Sequence, residues 1–165
     1  MTSTWIDSAT QAFEDSLSTL VGSAQPHVDP LALGRQAALQ AIAGQLWSEH
    51  LGPLYDTEGV QALLGGVSKQ AVSDRVRRHR LIALRTGSGR MVYPAFQFER
   101  QAVITGLGEV LSLIAPNDEE MWLAASWFVT PDPALGDISP IDAIRARLQT
   151  LVLDAARDVA ASLRG

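Results

Sequence analysis

Gly65-Gly66-Val67-Ser68-Lys69-Gln70-Ala71-Val72-Ser73-Asp74-Arg75-Val76-Arg77-Arg78-His79-Arg80 reads as a turn followed by a helix that carries its charge on one side. Ser68 is of the residue type that caps a helix start, its hydroxyl oxygen accepting from a first-turn amide that has no helical partner. Val67, Ala71, Val72 and Val76 recur at helical spacing and predict an inner face, which leaves Lys69, Gln70, Ser73, Asp74 and Arg77 outside. Upstream, Thr57 and Glu58 open a short helix with apolar Val60, Leu63 and Leu64, so the order is helix, glycine turn, helix. Downstream, Leu81–Arg85 and Met91–Tyr93 read as two strands joined by Thr86-Gly87-Ser88-Gly89-Arg90, a loop of residues that tolerate positive φ. A small hairpin wing is expected there.

Charge sharpens this reading. Seven of the thirteen Lys and Arg residues lie between Lys69 and Arg90 with one acid, Asp74, so the window carries +6 while the other 143 residues carry −11. A local cationic patch on an acidic chain calls for a local polyanion. In a helix-turn-helix the second helix enters the major groove, with residues near its start at the base edges and cations elsewhere on phosphates. Lys69 and Gln70 have the side chains for guanine and adenine, Ser73 and Arg77 share their outward face, and Ser68 at the cap is expected to join the DNA contacts. Arg75, Arg78, Arg80, Arg85 and Arg90 suit phosphate contacts. The plain alternative is a solvated basic face on an amphipathic helix.

Outside this module the chain reads as helical. Residues 7–22 place Ala9, Ala12, Phe13, Leu17, Leu20 and Val21 at helical spacing, and Asp29-Pro30 opens a second helix reaching about His50. Two such helices have too little apolar surface to stand alone, so docking on the rest of the chain or on a second copy is expected. Val103 to Ile114 again steps helically, Asn117 or Asp118 caps a helix carrying Trp122 and Trp127, and Ser139-Pro140-Ile141-Asp142 starts another that includes Arg145 and Arg147. A last helix spans Leu151 to Leu163. Trp122 and Trp127, five apart, point in different directions and cannot both face one core unless something covers the other side. The expected fold is mainly α: N-terminal helices over 1–50, a short helix-turn-helix with a small β-hairpin wing over 51–98, and C-terminal helices over 99–165.

Composition narrows the function classes. The chain has no Cys, which removes thiolate metal sites and Cys nucleophiles. His27, His50 and His79 are scattered, and no phosphate-cradling glycine loop with its Lys is present. Asp118, Glu119 and Glu120 complement a helix dipole more simply than they form a carboxylate site. No enzyme activity, metal or cofactor is expected. No apolar run approaches the roughly 20 residues of a membrane span, and Met1 to Asp7 lacks the features of a secretory signal. A cytoplasmic protein is expected.

Leu135-Gly136-Asp137-Ile138-Ser139-Pro140-Ile141-Asp142-Ala143-Ile144, preceded by Trp127 and the Pro131-Asp132-Pro133 turn, resembles the C-terminal domain of Xre/MbcA/ParS-type antitoxins. Tyr93-Pro94-Ala95-Phe96-Gln97-Phe98 looks like the same family, and the resemblance spans about residues 55–165. It implies that 99–165 is an antitoxin, toxin-binding domain acting on a RES-domain toxin that degrades NAD. Trp127, Leu135, Gly136, Asp137, Ile138, Ser139, Pro140 and Arg164 would form the toxin-binding surface. The resemblance further implies repression of the toxin-antitoxin operon through operator DNA, as a homodimer or a larger hetero-oligomer with the toxin. One departure is visible: the DNA reader resembles a short excisionase or MerR-like winged module, whereas many members of the family carry a longer Xre-type helical bundle. The alternative is a stand-alone winged regulator whose C-terminal helices dimerise or sense a ligand.

Overall fold

The computed structural model describes residues 2–21, 29–30 and 47–164, and is mainly helical with small antiparallel sheets. Residues 1–39 and 40–165 form two compact units. In the first, helix α1 (Thr2–Val21) starts earlier than the sequence spacing predicts. Ser16 and Thr19 hydroxyls donate to the Ala12 and Asp15 carbonyls one turn back, and Ile6 and Phe13 are exposed. Most of the helix expected to end near His50 lies outside the described residues.

The second unit begins, among the described residues, with helical residues 47–51 and then strand β1 (Leu54–Tyr55). Helix α2 (Thr57–Leu63) is capped by Asp56, whose carboxylate accepts from the Gly59 amide at 2.7 Å. Gly65 and Gly66 follow at φ 86° and 79°, the left-handed backbone that lets the chain reverse at no Cβ cost. Helix α3 (Lys69–Arg77) starts at Ser68, whose Oγ accepts from the Ala71 amide at 3.1 Å, as its residue type predicts.

Strands β2 (Leu84–Arg85) and β3 (Met91–Pro94) form the expected hairpin, in register Leu84 with Val92 and Arg85 with Met91. β1 pairs antiparallel on the other side of β3, giving the order β1-β3-β2. The first strand is shorter than Leu81–Arg85 because the backbone of Ile82 bonds elsewhere. The fully buried Gln97 accepts from the Ile82 amide through Oε1 at 2.7 Å, and donates through Nε2 to the Ile82 carbonyl at 2.9 Å and the Pro94 carbonyl at 3.0 Å. One carboxamide thus stands in for a strand neighbour.

Leu81 to Leu84 is a partition between two cores. Leu81 and Ala83 pack with Val60, Val72 and Tyr93 under α3. Ile82 and Leu84 join the other core, with Leu107, Leu111, Phe128 and Val152 among its residues. Alternation along an extended segment sends successive side chains to opposite faces, and here both faces are buried.

A second hairpin follows. β4 (Phe98–Glu99) and β5 (Ala102–Val103) pair antiparallel through Arg100 and Gln101. The helix expected from Val103 starts only at Leu107, since Val103 is a strand residue and Gly106 has left-handed φ 93°; α4 is Leu107–Ile114. Gly108 lets α4 approach the end of α3 closely, because a Cβ there would sit 3.1 Å from the His79 carbonyl oxygen. α5 (Met121–Val129), α6 (Pro140–Arg145) and α7 (Gln149–Arg164) complete the layer, with α4 packed on α7. Arg147 lies beyond α6 at φ 63°, not within it as the spacing suggests, because the chain turns left-handed to start α7.

Both Trp122 and Trp127 are half-buried against the larger core, each with its indole N–H satisfied. Trp122 donates to the Arg85 carbonyl at 3.1 Å and lies 5.0 Å from the Trp47 ring, which supplies the cover its direction requires. Trp127 donates to the Asp132 carboxylate at 3.2 Å. Among the described residues no helix is long and apolar enough to cross a membrane.

Candidate nucleic-acid interface

The Ser68 cap and the Val72 anchor orient α3 so that Lys69, Gln70, Ser73, Arg77 and Arg78 are exposed. Ser68 spends a hydroxyl lone pair on the Ala71 amide and keeps its proton for donation. Arg77 pairs with Asp74 one turn earlier, so the only acid of the basic window is held on the helix itself. Arg75 is half-buried and donates to the Ala71 carbonyl at 3.1 Å, which fixes its guanidinium along the helix.

The wing loop is set by its own bonds. Thr86 donates its amide to the Arg90 carbonyl at 2.8 Å, Gly89 donates back to Thr86, and the Thr86 hydroxyl accepts from the Arg90 amide at 3.2 Å. Arg85 and Arg90 are exposed on this wing. A groove of about 480 Å³ runs between α3 and the wing, lined among others by Ser73, Arg77, Arg85 and Asp118. A second groove, about 520 Å³, lies on the other flank of α3 and holds Arg75, Arg78, Arg80 and Gln101. The ten residues expected to contact DNA therefore divide: Lys69, Gln70 and Ser68 at the helix start, Ser73, Arg77, Arg85 and Arg90 towards the wing, and Arg75, Arg78 and Arg80 opposite.

No family model matches the chain, and no curated protein matches it. Among solved structures it is similar to the NMR structure of Rv2175c, at 29% identity and a TM-score of 0.54, over 66% of this chain and 81% of that one. That likeness supports the mainly helical fold with its small sheets.

The C-terminal residues singled out by sequence are not one surface. Leu135 is buried in the larger core, Ser139 and Pro140 are buried at the start of α6, Trp127 is half-buried, and Gly136, Asp137 and Ile138 are exposed on the turn between α5 and α6. The side chain of Arg164 lies outside those described. Asp132 organises the turn: its carboxylate accepts from the Ala134 amide at 2.9 Å, and its own amide donates to the Ile138 carbonyl at 3.0 Å. Ser139 caps α6 and donates its hydroxyl to Asp142 at 2.8 Å; that bond and the neighbouring Arg145 hold the Asp142 carboxyl below its usual 3.8 against a desolvation effect in the other direction. Arg145 also donates to the Phe96 carbonyl at 2.7 Å.

Two further residues near α3 carry no sequence signal: Gln101 lines the second groove, and Arg100 precedes it. Arg100 and Gln101 form the tip of the β4–β5 hairpin at φ 49° and 64°, a two-residue turn that ordinarily takes Asn-Gly. His79 is half-buried at φ 53°, ending α3 where Gly is usual, and the Arg80 amide closes that turn onto the Arg75 carbonyl at 2.8 Å. His50 accepts or donates at Ser126 Oγ, 2.9 Å away. Among the described residues no three His, Asp or Glu side chains gather to hold a metal ion.

Proposed function

We propose that this protein is a winged helix-turn-helix DNA-binding regulator, with α3 in the major groove and the β2–β3 wing on the adjacent phosphates. The observation that carries this reading is the exposed row Lys69, Gln70, Ser73 and Arg77 on a capped, internally anchored helix, flanked by arginines on an otherwise acidic chain. Lys69 and Gln70 at the helix start are placed for base edges, and Arg78, Arg85 and Arg90 for phosphates. Work on chromosomal DNA places it in the cytoplasm. No site for chemistry on a substrate is invoked.

The test is binding to duplex DNA selected from a random pool, titrated with salt. Each phosphate contact contributes about 0.9 to the slope of log affinity against log salt, so Arg85→Ala should flatten that slope by about one. Gln70→Ala should relax preference for the selected site and leave binding to random duplex nearly unchanged. Equal loss on selected and random DNA would remove Gln70 from base readout, and salt-insensitive binding would overturn the reading as a whole.

A second reading keeps the DNA reader and makes residues 99–165 an antitoxin domain that blocks a RES-domain toxin. What favours it is the exposed Gly136-Asp137-Ile138 turn, with Ile138 an apolar side chain in water. The buried Leu135, Ser139 and Pro140 would then shape the turn instead of touching the toxin. Co-purification with a RES-domain protein encoded beside it, lost in Ile138→Asp, tests this; no complex would leave the regulator reading alone.

A further inference from the structure

The recognition helix has a β-hairpin on each side. Ser73 and Arg77 face the β2–β3 wing, whereas Ala71, Arg75 and Arg78 share a groove with Gln101, Ala102 and Val103 of the β4–β5 hairpin. The two grooves share no residue. The second is the more cationic, with Arg75, Arg78 and Arg80 on its wall, and its one acid, Asp74, is already paired with Arg77.

The tip of that hairpin is costly as built. Both Arg100 and Gln101 occupy left-handed backbone, where Asn and Gly sit with least strain, yet here the tip carries a long cation and a long amide, both exposed. Among the described residues neither Arg78 nor Arg80 on the groove has an acidic partner within ion-pair distance, and nor does Arg100, which sits at the hairpin tip and lines a separate hollow with Glu99 and Glu109. Clustered unpaired guanidiniums favour an anion that can meet several at once, and a phosphodiester chain does so along its length. We infer that the β4–β5 hairpin is a second wing: its groove with α3 takes the phosphate backbone of DNA on the side of α3 opposite the first wing. The inference rests on the DNA-binding reading and adds to it a second backbone contact, so that the groove-borne helix is clasped from both flanks.

Length agrees with this role. Because β4 follows β3 after a single short turn, Ala95–Gln97, and Gln97 pins that turn to Ile82, the second hairpin is held to the same buried segment as the first. Neither hairpin needs to fold on contact.

The experiment uses the whole chain and a duplex bound by the wild type, titrated between 50 and 200 mM salt. Arg100→Asn removes the charge and installs a residue at home in left-handed backbone, so the turn is kept; an unchanged melting temperature checks this. Arg80→Gln probes the groove between that hairpin and α3, and Arg90→Ala probes the first wing. One lost phosphate contact lowers the slope by about 0.9, so over this fourfold range each variant should lose about 3.5-fold less affinity than the wild type does. Hydroxyl-radical footprinting should show the wild type protecting backbone on both flanks of the bound major groove, with Arg100→Asn and Arg80→Gln exposing one flank and Arg90→Ala the other. A flattened slope for Arg90→Ala with unchanged slopes for Arg100→Asn and Arg80→Gln would overturn the second wing alone. Salt-insensitive binding by the wild type would take the DNA reading down with it.

Discussion

Two cores of unequal size share one wall. Among the described residues, five buried under α3, Val60, Val72, Leu81, Ala83 and Tyr93, form the smaller; twenty form the larger, on the side of α4 to α7. The smaller core is too slight to hold a helix, two hairpins and a glycine turn in place unaided. It is supported because Leu81–Leu84, all four residues buried, belongs to both cores, and because Gln97 fastens the same segment from the side. The clustered cations lie in one region and most of the buried apolar side chains in the other.

The largest expected effect breaks the pair apart. By sequence, every proposed α3 and first-wing contact precedes Phe98, which invites the idea of an independent DNA-reading fragment. A chain ending at Phe98 would instead turn Ile82 and Leu84, both fully buried, towards water, each at a cost of roughly 1.5–3 kcal/mol, and would lose Ile104, whose amide donates to the Gln97 carbonyl at 2.8 Å. We expect no cooperative thermal transition from that fragment by circular dichroism and no selective DNA binding. A sharp transition in it would show that the smaller core is self-sufficient.

Next comes the shared wall itself. Leu81→Ala empties the smaller core and Leu84→Ala the larger, and truncating either buried leucine costs about 2–5 kcal/mol. If residues 81–84 couple the two regions, both variants lower one common denaturation midpoint, whether followed by Trp fluorescence or by far-ultraviolet signal. Two separate transitions in Leu81→Ala, with the tryptophan signal unmoved, would mean that the cores unfold independently.

Gln97 sharpens the comparison at one side chain. Gln97→Leu keeps the volume roughly but leaves the Ile82 amide and carbonyl buried without their partner, and an orphaned buried polar group costs about 1–3 kcal/mol. Chemical denaturation should register a loss of that order. Stability equal to wild type would mean that water or a shifted strand replaces the carboxamide.

How much of this was legible depends on whether a residue advertises its role locally. Gly65-Gly66, the Ser68 cap, the glycine-bearing wing loop and the Ser139-Pro140 start are punctuation, read from two or three adjacent residues, and each stands where the sequence predicts. The second hairpin is not legible because its turn is Arg100-Gln101, with no Gly or Asn to mark it, and because Val103 keeps the helical step of Val110 and Ile114 although Gly106 breaks the backbone before Leu107. Gln97 was unreadable for another reason: its partner, Ile82, lies fifteen residues away, and nothing local distinguishes a buried Gln from a surface one. Of the proposed contacts, those on α3 and the first wing could be named from the sequence. The Arg100 tip could not, and the burial of Leu135, Ser139 and Pro140 follows only from how the turn before α6 and the start of α6 pack.

The smallest expected effect concerns a polar tie between the two regions. Arg145 donates at once to Asp142 at 2.9 Å and to the Phe96 carbonyl at 2.7 Å, joining α6 to the turn that carries Gln97. The Asp142 carboxyl is held below its usual 3.8, first by the Ser139 hydroxyl and then by Arg145. A carboxyl whose folded value is depressed adds stability that is fully present above its unfolded value and disappears as the pH falls through the folded one. The gap in melting temperature between wild type and Asp142→Asn should therefore be present at neutral pH, shrink as the solution is acidified past 3.8, and close in strong acid. Because the pair is largely exposed, solvent screens it and the gap should be small, narrowing further with added salt. A gap that persists in strong acid would mean that Asn harms the Ser139 cap itself and not the charge, and the Arg145 bond to Phe96 would then hold the two regions together without help from Asp142.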